Sequence, residues 1–101
     1  MIDGNVFRVG SVDYTVELVP DLNRLHQLWG QVTFLDTNIQ IEKELSPSRM
    51  NYVLIHELTH AMFNEAGFME QDEDVINRVA AVLHSVLRDN DFGFVREEEG
   101  E

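Results

Sequence analysis

The segment NYVLIHELTHAMFNEAGF, residues 51–68, sets His56, Glu57 and His60 inside an otherwise apolar run. Ionisable groups buried among Val, Leu, Ile, Met and Phe cost on the order of several kcal/mol unless something pairs with them. A metal ion is the best such partner. Histidines four residues apart lie on one face of a helix, one turn from each other, so both imidazoles reach a single ion. Glu57 projects roughly 100° further around the helix, close enough to meet a metal-bound water without being a ligand itself. This is the HExxH arrangement, in which two histidines bind zinc and the glutamate serves as general base. The bland alternative is a chance helical segment whose histidines are neutral and hydrogen-bonded. A chance match is rare at this length, and rarer in a buried, helix-central setting.

Two histidines do not complete a catalytic zinc site; a third protein ligand is needed, with a fourth position left open for water. A third histidine further along the same helix, as metzincins require, is absent from HELTHAMFNEA. The carboxylates of MEQDEDVINR remain: Glu70, Asp72, Glu73 and Asp74. On a helical wheel the apolar residues of the helix that opens here centre on a face including Val79, Leu83 and Val86. Glu73 falls at the edge of that face, beside Ile76 and Ala80, and looks along the seam toward the first helix. Asp74 points outward, and Asp72 is better used as the N-cap, although it stands as the second choice for ligand. Asn77, one turn after Glu73, is placed to hydrogen-bond the free nitrogen of a zinc-binding histidine. An acidic first turn also favours the helix dipole, which explains acids here without any metal.

The remaining chemistry-bearing residues are weaker candidates. His84 lies about 16 Å further along the second helix, at 1.5 Å per residue, too far for the same ion; pairing with a carboxylate is its expected role. His26 is read as structural or surface. Tyr52, one turn before His56, is within reach of an oxyanion, with packing the more ordinary role.

The elements that must position these groups are readable from periodicity. Residues 5–19 alternate around a Gly-Ser break and predict a hairpin. DLNRLHQLWGQ is divided between a short helical turn and an irregular connection. Val32 with Phe34 and Ile39 with Ile41, separated by Asp36, Thr37 and Asn38, predict a second strand pair. Ser46 followed by Pro47 signals a helix start, and Gly67 its end near Ala66. That helix is apolar on nearly all sides and is expected to be central. The helix from QDEDV to about Asp89 repeats apolar residues at amphipathic spacing. REEEGE reads as a solvated acidic tail. The reading is one domain over residues 1–93, of α+β class, followed by an acidic, disordered tail over 94–101.

Composition narrows the function classes. With 19 acidic and 7 basic residues the formal net charge is −12, which repels a phosphate backbone and anionic membranes. The chain has no cysteine, so a metal must be held by His and carboxylate. The opening MIDGNVFRVG shows no basic stretch followed by an apolar one, and no apolar run approaches membrane-spanning length. A soluble cytoplasmic protein is expected, with neither nucleic acid nor membrane as partner.

HELTHAMF, followed by an acidic residue four before an asparagine in EDVINRVAAVL, is similar to the ImmA/IrrE family of small gluzincin metallopeptidases, common in bacteriophages and mobile elements. The upstream run GQVTFLDTNIQIEKELSPSRMNYVLIHELTH resembles the family's glycine, turn, isoleucine-rich strand and active-site helix. The match spans about residues 30–88. Val75 and Ile76 depart from the family's usual acidic-x-acidic-Ala-Asn form. The resemblance implies a minimal zincin-like fold, with a small twisted sheet packed on the HExxH helix and a second helix after it. It further implies His56, His60 and Glu73 as ligands of Zn2+, Glu57 as general base, and a protein or peptide substrate of the regulatory repressor type. The rival expectations are an interaction module with a structural or vestigial zinc site, and a metal-free helical protein.

Overall fold

A computed structural model describes residues 2–97 of the chain. The first alternating stretch forms the expected hairpin: β1 (Val6–Val9) pairs antiparallel with β2 (Val12–Val19), Val9 opposite Val12. Gly10 turns the corner at φ 64°, a left-handed conformation that glycine adopts without strain. Along β2 the period of two sends Tyr14 and Val16 into the core while Asp13, Thr15 and Glu17 face solvent.

The ambiguous stretch after Pro20 resolves into a five-residue helix, α1 (Leu22–His26), anchored by buried Leu22. His26 is exposed at its end. The α1 segment is tied to the sheet by Glu42, whose carboxylate accepts the backbone N–H groups of Asn23 at 2.7 Å and Glu44 at 3.0 Å. Those two bonds hold the Glu42 carboxyl below its ordinary value.

The second strand pair follows: β3 (Gly30–Thr33) runs antiparallel to β4 (Asn38–Glu42), and β4 in turn lies parallel to β2. The order is β1-β2-β4-β3, a mixed four-stranded sheet with β3 at one edge. Ser46 caps α2 (Pro47–Glu65), its hydroxyl accepting the Arg49 N–H at 3.3 Å, with Pro47 in the first turn. Gly67, at φ 98°, follows its end. Met50, Val53, Leu54, Leu58 and Ala61 of α2 pack on Tyr14, Val16, Ile39 and Ile41 of the sheet.

Helix α3 (Glu73–Asp89) begins where Asp72 caps it, accepting the Asp74 N–H at 2.8 Å. Glu73 at its start meets His56 and His60, and His84 near its end meets Tyr52, so α3 runs antiparallel to α2. The packed residues differ from the face read off the sequence. Ile76 and Ala80 are fully buried, whereas Val79, Val82 and Val86 remain 40%, 64% and 38% exposed. The apolar stripe of α3 is wider than one neighbouring helix covers, and small Ala80 lets α2 approach on the Glu73 side. His84 sits edge-on to Tyr52 with ring centroids 5.9 Å apart, and Asp89 is a carboxylate near enough to interact with it.

Among the described residues the fold is thus α+β, a four-stranded sheet with four helices. The acidic tail expected from residue 94 begins within α4 (Gly93–Glu97); the rest of it, residues 98–101, lies outside the described residues. No helix among the described residues is long and apolar enough to cross a membrane.

Tyr14 is a titratable group of the core. It has no exposed surface and donates its hydroxyl to Glu65 Oε2 at 2.7 Å. Burial, then the bond to Glu65, pushes its pKa up to about 12. A folded-state value above the unfolded one leaves this contribution intact below pH about 10 and removes it as pH rises toward about 12. Tyr14→Phe is expected to lose about 1 kcal/mol at neutral pH. The variant's alkaline stability curve, followed by urea melts, should also be flatter than the wild type's between those values.

Candidate metal centre

The two histidines project from the middle of α2 with ring centroids 5.0 Å apart. Each side chain is only 16% exposed. Across the helix seam the carboxylate of Glu73 straddles both, its Oε1 lying 2.8 Å from His56 Nε2 and its Oε2 3.3 Å from His60 Nε2. One donor atom from each residue falls within 4.8 Å of the others. Two atoms each about 2.1 Å from a tetrahedral ion stand about 3.4 Å apart, so the three groups are able to hold one metal ion with small side-chain adjustments. Two imidazoles and a carboxylate also form a donor set that suits zinc and related divalent ions.

Two of the other acids of the segment are engaged elsewhere, and Glu70 is exposed and outside the cluster. Asp72 is spent on the α3 cap, and Asp74 pairs with Arg78 at 2.9 Å. The Glu73 side chain is 63% exposed, so the cluster opens toward solvent on that side.

Electrostatics suit the donor roles. Burial holds the His56 imidazole below its ordinary pKa, with the neighbouring Glu73 carboxylate acting against that shift. Neutral imidazole is the form that ligates. Glu57 is 7% exposed, and burial raises its carboxyl to about 7; His60 opposes that rise and Glu73 adds to it. Among the described residues Glu57 makes no ion pair with the ligand cluster, and it lines the same two clefts as His56.

What places Glu57 is the edge strand. A Cβ on Gly30 would stand 2.6 Å from Val53 Cγ1 and 3.3 Å from Glu57 Cγ. Only glycine lets β3 approach α2 this closely. Two clefts meet here, one of about 350 Å³ running past Trp29, Tyr52 and Asn77 and one of about 490 Å³ along Gln31, Val32, Phe34 and Glu73. Both are walled by Leu28, Gly30, His56 and Glu57.

Asn77 departs from its expected role. It lines the first cleft beside His56 and Glu57 but bonds neither imidazole among the described residues. One turn after Glu73 on an antiparallel helix, it is carried toward Tyr52 and away from His60. The partner of the second nitrogen of His60 is Gln71, whose Oε1 lies 2.6 Å from Nδ1. Nothing in the sequence singles out Gln71, since it reaches His60 only through the path of the turn between α2 and α3. Tyr52 lies at the cleft wall with its ring 6.5 Å from that of His56.

No family model, no curated protein and no solved structure matches this chain. The chemistry is therefore read from the donor set and its surroundings.

Glu73→Gln removes the one anionic donor. It is expected to weaken zinc binding by more than the roughly 10–100-fold typical of an outer-shell loss, as read by competition with a chromogenic chelator, with metal-free thermal stability close to the wild type's. Gly30→Ala forces β3 and α2 apart and should destabilise the fold by about 1–3 kcal/mol, measured by denaturant unfolding.

Proposed function

We propose that this protein is a zinc metallopeptidase of minimal zincin-like fold that hydrolyses a peptide bond in a protein or peptide substrate. The observation that carries the reading is the convergence of Glu73, from a separate helix, onto His56 and His60 with Glu57 buried alongside. Zinc bound there supplies Lewis acidity toward a carbonyl oxygen and lowers the pKa of water toward about 7. His56, His60 and Glu73 would hold the ion.

Glu57 accepts the proton of the attacking water and passes it to the departing amine. Burial raises its carboxyl to about 7 in the metal-free chain, and a cation beside it would draw that value down and favour the carboxylate form that accepts a proton. Gly30 and Val53 shield Glu57 from bulk water. Strand β3 offers an unpaired edge along the cleft that contains the ligands. An extended substrate segment is able to add there by backbone hydrogen bonds, which brings its carbonyl past Glu57.

Glu57→Gln is expected to keep about one zinc per chain by elemental mass spectrometry while losing at least about 100-fold of its turnover, the lower end of what a positioned general base contributes. Turnover is read by mass spectrometry on a peptide-library digest. Full turnover in that variant would remove Glu57 from the mechanism. A wild type that binds zinc and cleaves nothing in the library would instead favour a metal-binding interaction module.

A further inference from the structure

Gln71 belongs to the connection between α2 and α3 and makes three polar contacts. Its Nε2 donates to the backbone carbonyl of His60 at 3.2 Å and to that of Phe68 at 3.5 Å, and its Oε1 lies 2.6 Å from His60 Nδ1. The two ends of an amide have nearly the same shape, so its orientation follows from its partners. Backbone carbonyls only accept, which requires the NH2 end of Gln71 to face them. That leaves the amide oxygen facing Nδ1. An oxygen of this kind accepts and cannot donate, so Nδ1 must carry a hydrogen, and whenever the imidazole is neutral Nε2 holds the lone pair. Nε2 is the nitrogen directed at Glu73.

We infer that Gln71 is a positioning residue that keeps a hydrogen on His60 Nδ1, so that the neutral ring has the Nδ1–H tautomer and Nε2 is the nitrogen left to bind a metal ion between His56 and Glu73. The chain of constraint runs from two backbone carbonyls to the amide, from the amide to the tautomer, and from the tautomer to the donor atom. The same residue fixes ring orientation, since the imidazole cannot turn without breaking the 2.6 Å bond. It lies two residues before Glu73, so one short segment supplies both a carboxylate donor and the amide that readies a histidine. The consequence for metal uptake rests on the zinc reading above; the tautomer itself does not.

The test compares wild type, Gln71→Leu and Gln71→Glu. Long-range proton–nitrogen NMR of the imidazoles in the metal-free proteins reads the tautomer, and chelator competition reads zinc affinity. Wild-type His60 is expected as Nδ1–H. Gln71→Leu should revert to the Nε2–H form and lose about 10–100-fold in zinc affinity. Gln71→Glu keeps an acceptor for Nδ1 while giving up the NH2 contacts to the carbonyls, so it should retain the tautomer and most of the affinity.

An Nε2–H tautomer in the wild type overturns the inference. So does Gln71→Leu binding zinc as tightly as wild type, or Gln71→Glu falling as far as Gln71→Leu, which would make Gln71 a clamp on the turn and nothing more. A wild type that takes up no zinc while its His60 tautomer still depends on Gln71 would overturn the metallopeptidase reading and leave this role standing.

Discussion

Helix α2 is pressed against the sheet through Met50, Val53, Leu54, Leu58 and Ala61 and is covered on another side by α3. The ionisable groups it carries therefore lie where water solvates them poorly. His56 and His60 share one face of that helix with Glu57 on the next, and the two faces meet different answers to the same cost. The histidines turn toward the Glu73 carboxylate, and Glu57 turns under Gly30. The rest of the structure follows from keeping these groups placed.

The two helices and the edge strand divide that work. Helix α3 packs with Ile76 and Ala80 fully buried, and this narrow contact brings its first residue, Glu73, over both imidazoles. The Asp72 cap gives α3 a defined start, so the position of Glu73 does not depend on a fraying end. On the opposite side, β3 comes in close enough that a methyl group on Gly30 has no room. Glu57 is held in an enclosed corner while Glu73 stays open to solvent. A largely buried glutamate beside a ligand cluster reachable from outside is the arrangement that the proposed hydrolysis would use.

Much of this was legible in the residue pattern. Strand alternation around Gly10, the turn near Asp36 to Asn38, the Ser46-Pro47 helix start and the Asp72 cap are local signals, set by backbone preference within a few residues, and each appears where expected. The HExxH spacing is local as well, because 3.6 residues per turn is enough to place His60 above His56. Non-local packing was less legible. Val79 and Val86 look like core positions on a helical wheel, yet a wheel reports which face is apolar and not how much of it a neighbour covers.

By itself, then, the sequence determined that two histidines share a helix face with a glutamate beside them, and which nearby acids were free to complete the set. Only the tertiary structure decided that Glu73 spans both imidazoles, that Gly30 closes over Glu57, and that Gln71 rather than Asn77 engages the second nitrogen of His60. The reason is physical. Helical periodicity fixes direction around an axis within one element. The meeting of side chains from separate elements depends on interaxial distance, on antiparallel register and on the path of the turn between helices, none of which is encoded in spacing along the chain.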